Sequence, residues 1–256
     1  MKYFTIGYSL PNIISSRLFG NRLKYGTKIN YDDPMWLEWE DTYLKFYTST
    51  QKAPLGDMIN HAGYHIMNKV NLDGERVMEI GPGDIRHLLY WRGRPEEYVI
   101  ADIQQTMLDR SSSILLQGGV THKQVLLERE NRKLPFEDES FDIVVSFYAL
   151  EHINPLEPAL FEIRRVLKAG GLFVGAIPAE GGLAWGLGRL LTSRRWLKKN
   201  TGIDPDKIIC WEHPSFADTI LAELDNKFMK QRLFFWPFRI PLIDINLVIS
   251  FIYKVA

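Results

Sequence analysis

From position 76 to 178 the chain alternates short apolar runs with amphipathic segments, and this rhythm constrains the fold more than any other feature. The apolar runs fall at 76–80, 98–101, 124–127, 141–147 and 171–177, and the amphipathic segments between them at 85–91, 107–117 and 156–167. Strands separated by helices need crossover connections, so these five strands are expected to lie parallel with helices on both faces. A further helix at 215–228 leads into apolar runs at 232–238 and 247–255, joined by a turn around Pro241, which read as a closing hairpin. The expected fold is therefore α/β, a doubly wound seven-stranded sheet, mostly parallel with the last strand antiparallel.

Ahead of the sheet, Trp36, Trp39, Tyr43, Leu44 and Phe46 recur at helical spacing over 33–47, with Pro34 suited to a first turn. A second helix is expected over 55–70, stopped by Asn71-Leu72-Asp73-Gly74. Residues 1–54 thus read as a basic arm and helical cap, and 55–256 as one α/β domain whose rhythm is interrupted after the fifth strand by an insertion at about 180–214.

Charge and cysteine usage narrow the classes of function. The 256 residues carry a formal net charge of zero, which argues against a nucleic-acid partner, whose phosphates call for a basic surface. Cys210 stands alone, excluding an internal disulfide and a thiolate zinc cluster, and no His/Asp cluster has metal-ligand spacing, so no metal is expected. No run approaches the roughly 18 apolar residues of a membrane span, and the N-terminus lacks a continuous apolar core and cleavage site. A cytoplasmic protein is expected. Cations nevertheless cluster between residues 1 and 31 and again in 186–199, where they mix with Leu187, Leu190, Leu191, Trp196 and Leu197. That second segment reads first as a lid helix with its cations in water. It also suits an anionic substrate or a peripheral membrane contact.

Three segments carry chemistry. In Val77-Met78-Glu79-Ile80-Gly81-Pro82-Gly83-Asp84 a buried strand ends in a glycine turn and is expected to pass straight into a helix, where backbone and helix N-terminus can approach a ligand closely. A dinucleotide fingerprint would need a small residue at position 86; Arg86 stands there and disfavours a nicotinamide oxidoreductase. Asp102, after the second strand, lies at the distance from Glu79 at which a carboxylate reaches ribose hydroxyls. The third segment runs Leu134-Pro135-Phe136-Glu137-Asp138-Glu139-Ser140-Phe141-Asp142, then Leu150-Glu151-His152, then Arg165-Val166-Leu167-Lys168-Ala169-Gly170-Gly171.

In this order the three segments resemble the class I S-adenosylmethionine-dependent methyltransferases, in the branch that includes the ubiquinone/menaquinone C-methyltransferases and many small-molecule enzymes. The resemblance covers residues 76–178 and implies a Rossmann-like fold with S-adenosylmethionine as cofactor. Carried over, it places Gly81 and Gly83 under the methionine part, with Glu79 orienting that loop and the cofactor's amino group. It also places Asp102 on the ribose, Ile103 against the adenine face, Glu130 on the adenine amine with Asn131 beside it, and Phe147 near the methionine part. The chain departs from the pattern at Ile85, where the family has a third glycine, at Ala169 in place of a proline, and at Glu130 in place of aspartate. Ile85 is expected to narrow the cofactor space.

Methyl transfer from a sulfonium is an in-line displacement, and a base is needed only where the acceptor loses a proton. The candidates are His152, His213, Glu212 and Tyr148. The fourth strand ends in Ser146-Phe147-Tyr148-Ala149, without the Asn/Asp-Pro-Pro-aromatic sequence of amide and adenine methylation. The expected acceptor is a small molecule or a glycan, such as a cell-surface polysaccharide or lipid-linked precursor. A non-catalytic scaffold on the same fold is the alternative.

Overall fold

A computed structural model describes residues 3–47, 49, 54–129 and 133–256. Four helices precede the sheet: α1 (Asn12–Phe19), α2 (Arg22–Tyr25), α3 (Pro34–Phe46) and α4 (Pro54–Tyr64), the last continued by a 3-10 helix at His65–Lys69. Then follow β1 (Arg76–Ile80), β2 (Glu97–Asp102), α5 (Gln105–Gln117), β3 (His122–Leu126), β4 (Phe141–Phe147), α6 (Leu156–Val166) and β5 (Leu167–Pro178). The insertion forms α7 (Leu183–Leu191), α8 (Ser193–Asn200) and α9 (Pro205–Glu212), and α10 (Ala217–Lys227), β6 (Met229–Trp236) and β7 (Val248–Lys254) close the domain.

The seven strands lie in the order β3-β2-β1-β4-β5-β7-β6. Strands β1 to β5 are parallel, and β7 runs antiparallel between β5 and β6, as expected from the rhythm and its closing hairpin. Both faces are covered, and the pleat explains how. Met78, Val99, Val144, Phe173, Phe251 and Tyr253 enter one core, with α6 and α10. Their neighbours Val77, Tyr98, Ile100, Val145, Val174 and Ile252 enter the other, with α4 and α5. Connections leave β1 and β4 toward opposite edges, so a crevice opens beyond the carboxyl ends of those two strands.

One element differs from expectation at the crevice. The segment read as a helix at 85–91 is a 3-10 helix at Arg86–Tyr90, and Ile85 before it is left-handed, with φ of 44°. No α-helix N-terminus therefore follows the glycine turn.

The N-terminal helices and the insertion, far apart in sequence, cover this crevice together. Trp36 and Trp39 of α3 pack with Leu197, Ile208 and Trp211 of α8 and α9. Polar groups register the same elements: Arg22 donates to the carbonyls of His213 and Pro214, the Tyr25 hydroxyl to Asp204, and Lys207 pairs with Asp33. A tryptophan ring supplies large apolar area and one N–H needing a partner, and Trp39 finds that partner in Glu212 at 2.6 Å.

Gly175 shows how closely β4 and β5 approach. A Cβ there would overlap the carbonyl oxygen of Ser146 and lie 2.9 Å from the Phe251 ring. Gly175→Ala is expected to cost about 1–3 kcal/mol by overpacking. For a domain of this size that lowers Tm by roughly 2–10 °C in scanning calorimetry. An unchanged Tm would mean that the two strands separate freely.

Candidate functional site

One cavity of about 1610 Å³ lies between the carboxyl edge of the sheet and the helical cap. Its floor begins where β1 ends. Gly81 and Gly83 have φ of 67° and 55°, a region that side chains disfavour. A Cβ on Gly81 would come within 2.6 Å of the Ala149 side chain, whereas at Gly83 the nearest atom would be the Tyr47 hydroxyl at 3.8 Å. Gly83 therefore offers bare backbone to the cavity, and its carbonyl is held from behind by the Ser111 hydroxyl at 2.6 Å.

Asp102 closes β2 at the cavity wall and accepts the Gln104 amide at 2.8 Å. Burial pushes its carboxyl up to about 6 against the amides of Gln104 and Ile103 and the charge of His152. Ile103 beside it is exposed on the cavity rim. Phe147 forms the opposite wall, its ring stacked on His87 at 4.8 Å. A glycine cradle, a carboxylate and a flanking apolar side chain suit a ligand with a polar chain, a ribose and a flat base. Those residues fit S-adenosylmethionine.

The cap side of the cavity is aromatic and charged. Trp36, Trp39 and Tyr43 of α3 line it, with Trp185 of α7, Trp196 of α8 and Trp211 of α9. Glu180, fully buried after β5, receives both nitrogens of Arg189 at 2.6 and 2.5 Å and the Trp185 N–H at 2.9 Å. His213 Nδ1 lies 3.1 Å from the same carboxylate. Burial would raise the Glu180 carboxyl, but Arg189, His213 and Arg22 outweigh it and hold it at about 2. Burial and the Arg189 charge push His213 down to about 4, so it is neutral at pH 7.

His152 behaves oppositely. Its Nδ1 donates to the Glu212 carbonyl at 2.7 Å and lies 3.2 Å from the Glu212 carboxylate. Burial lowers its affinity for a proton, yet Glu212 and Glu151 raise it to about 9, which makes it an imidazolium at pH 7. The two imidazoles are 4.7 Å apart.

Comparison with known proteins fits this geometry. Residues 78–175 match the methyltransferase domain family. Over 101 residues the chain is 38% identical to the ubiquinone/menaquinone biosynthesis C-methyltransferase UbiE of Ectopseudomonas mendocina, covering 38% of this chain and 40% of that one. UbiE of Xylella fastidiosa is 36% identical over 114 residues, 42% of this chain and 45% of its own. The similarity thus spans less than half of these relatives. Among solved structures, a Pyrococcus horikoshii protein superposes with a TM-score of 0.57 at 19% identity, over 84% of this chain and 99% of its own. The [4+2]-cyclase SpnF superposes at 0.52 with 12% identity, over 78% and 80%. At such identities these structures share the fold alone.

The residues singled out from sequence separate into groups. Gly81, Gly83, Asp102, Ile103, Phe147, Tyr148, His152 and His213 all line the cavity. Glu79 is a correction: it points into the core, where Oε1 meets His87 Nε2 at 2.8 Å and Oε2 accepts the Tyr98 hydroxyl at 2.6 Å. With both oxygens engaged and no exposure, it braces the turn from behind and does not line the cavity. Ile85 is a second correction. It is buried in the core beneath the turn and leaves the cavity open. Glu130 and Asn131 lie outside the described residues; Leu127 and Arg129, just before them, line the cavity. The Tyr148 hydroxyl, on a half-buried side chain, donates to the carbonyl of Asn60 at 2.9 Å, so it secures α4 and is not placed to take a proton. Among the described residues no three His, Cys, Asp or Glu side chains could hold a metal ion.

Sequence reasoning passed over Glu151. Its side chain lines the cavity at 2% exposure, and its Oε2 has no hydrogen-bond partner among the described residues. Burial raises its carboxyl to about 7. Its only sequence signal was its place beside His152.

Asp102→Ala is expected to weaken S-adenosylhomocysteine binding at least tenfold in calorimetric titration, since a hydrogen bond to a charged group contributes about 1.5–3 kcal/mol. For the native protein the affinity should fall as pH drops below about 6, because Asp102 then gains a proton and loses its charge. An affinity indifferent to both changes would remove Asp102 from the cofactor site.

Proposed function

We propose that this chain transfers a methyl group from S-adenosylmethionine to a small-molecule acceptor held against the aromatic wall, with Glu151 as the proton acceptor. One observation carries the reading: a single cavity joins the glycine and Asp102 cradle to the buried Glu151 carboxyl, whose Oε2 has no hydrogen-bond partner among the described residues, beside the His152 imidazolium. S-adenosylmethionine, when bound, supplies a methyl carbon made electrophilic by the sulfonium.

The chain's own groups supply alignment, a dry site and a proton path. Gly81, Gly83 and Asp102 fix the cofactor half. Trp36, Trp185 and Trp211 cover the acceptor half and keep water from it. The His152 imidazolium, fixed by Glu212, stabilises negative charge that develops on the acceptor. Glu151 takes the acceptor's proton, which an oxygen or nitrogen acceptor releases as its lone pair attacks and a carbon acceptor releases before the resulting carbanion attacks. A base works best with a pKa near the working pH, and Glu151 titrates at about 7. His213, neutral and held to Glu180, serves as a binding group.

The acceptor we favour has a flat or largely apolar body, because the wall it meets is aromatic. The curated relatives are named as C-methyltransferases of ubiquinone and menaquinone biosynthesis, and a carbon acceptor would need the base described here. A glycan or lipid-linked acceptor is the second reading, favoured by the tryptophans, whose faces also stack on sugar rings. A nicotinamide reaction lacks support, since the turn is followed by Ile85 and a short 3-10 helix where a pyrophosphate needs a helix N-terminus.

Labelled methyl transfer from S-adenosylmethionine, screened over phenolic, quinol and glycosidic acceptors, tests the proposal. Turnover should rise with pH through about 7 as Glu151 ionises. Glu151→Gln should lose about 10²–10⁴-fold in kcat, the typical contribution of a positioned base, while S-adenosylhomocysteine affinity stays unchanged. Wild-type turnover in that variant would exclude Glu151 as the base. Cofactor binding without transfer to any acceptor would favour the scaffold reading.

A further inference from the structure

Two neighbouring elements at the cavity mouth expose large apolar side chains. Leu183, Leu187 and Leu191 repeat every fourth residue along α7 and form one stripe, exposed by 38, 45 and 55%. On the loop between β6 and β7, Phe238, Ile240 and Leu242 are exposed by 60, 48 and 56%. The two elements are tied together: the Leu183 amide donates to Asp244 at 3.3 Å, and a Cβ on Gly182 would touch the Ile243 carbonyl at 2.7 Å. Both edge the same opening, since Ala184 and Gly188 line the cavity on one side and Phe238 and Ile245 on the other.

The loop is built to hold this form. Asn246, fully buried, accepts the Phe238 amide at 3.0 Å and donates to the carbonyls of Ile240 and Leu242 at 2.9 and 2.7 Å. Phe238, Ile240 and Leu242 therefore project as a fixed group. Contiguous exposed apolar surface of this kind on a soluble domain marks an interaction site.

Charge identifies the occupant. Residues 181–203 and 226–243 contain no Asp or Glu. Arg239 stands exposed between Phe238 and Ile240, and Arg195, Lys198 and Lys199 are exposed on α8, the next helix after the leucine stripe. Asp244, the one carboxylate in this loop, is half-buried and takes up the amides of Ile6 and Leu183, so the exposed charges beside the apolar side chains are cations, which match a surface with an apolar interior and anionic headgroups. No helix among the described residues is long and apolar enough to cross a membrane.

We infer that α7 and the loop between β6 and β7 dock this domain peripherally on an anionic lipid membrane, with the cavity mouth turned toward the bilayer. In that position an apolar acceptor could enter the cavity from the lipid without crossing water. Docking does not depend on the proposed chemistry, and its test needs no turnover.

The full chain should co-sediment with phosphatidylglycerol-containing vesicles and far less with pure phosphatidylcholine, with binding that weakens as salt rises. The double variant Leu187→Glu/Ile240→Glu, whose sites lie outside the cavity lining, should lose at least about tenfold in partitioning, since each change withdraws an apolar side chain and adds a repelled charge. Its Tm and S-adenosylhomocysteine affinity should match the wild type, separating lost docking from lost folding. A second variant, Lys198→Gln/Lys199→Gln, should weaken binding and flatten its salt dependence while leaving the apolar face intact. Equal partitioning of wild type and double variant, or no binding to either vesicle, overturns the inference. So does a wild-type dimer in sedimentation velocity that the double variant dissociates, which would assign the patch to a second copy of the chain.

Discussion

Glu180 leaves β5 where the sheet ends and the cap begins, and its carboxylate lies wholly out of water. A buried charge is tolerated only with excellent compensation, and here Arg189 reaches it with two nitrogens, Trp185 with a third and His213 with a fourth. The partners come from both ends of the insertion. Arg189 and Trp185 belong to α7, while His213 follows α9, whose carbonyl end is gripped by Arg22 from the N-terminal helices. One carboxylate thus fixes the first and last turns of the insertion against the sheet, and through Arg22 draws α2 with them. Removing one partner of such a pair costs far more than the pair contributes, because the other charge stays buried. The cap's position over Gly81 and Asp102 follows from that arrangement.

The parts of this structure that were legible in sequence are those set by local rules. Val77 and Met78, like Phe173 and Val174, are apolar and fully buried on opposite faces, and such continuous apolar runs are the mark of parallel strands covered on both sides, so the sheet could be read directly. The turn at Gly81 and Gly83 and the strand end at Asp102 are likewise local. What could not be read depends on contacts between distant segments. Glu79 looked available to a ligand until Tyr98 from the neighbouring strand and His87 from beyond the turn were seen to take both of its oxygens. The joining of the N-terminal cap to the insertion was equally hidden, since the pairing of Trp39 with Glu212 joins residues that no periodicity connects. Glu151 could be found only once burial was known, because an acidic residue in sequence is by default a solvated one.

Ile85 illustrates a middle case. The related motif has glycine there, and the backbone still adopts the left-handed conformation that glycine makes easy, with φ of 44°. A β-branched residue held in that region costs of order 1–3 kcal/mol. The opposing gain is visible in its burial at 1%, among Val77, Tyr98 and Leu108. The substitution therefore exchanges backbone ease for core packing and leaves the ligand side of the turn unchanged. A motif departure that reads as a threat to the cofactor is, in three dimensions, an event in the core.

The acid–base cluster acquires its character from proximity. Two histidines 4.7 Å apart are driven in opposite directions, His152 up to about 9 by Glu212 and His213 down to about 4 by burial and Arg189. Neither changes charge near pH 7. Glu180 is ionised throughout, and Glu212 is held ionised by its imidazolium partner. Every strong pair in the cluster is thus already settled at neutral pH, and each settled charge adds a fixed field rather than a titrating one. Glu151 stands inside that field, raised by its burial and by Glu180 and lowered by His152 and Arg189, and comes to rest at about 7. A buried carboxyl at the cavity wall, with one oxygen lacking a partner among the described residues, is the member of this cluster whose charge is not already fixed at neutral pH, and the surrounding ion pairs are what keep it so.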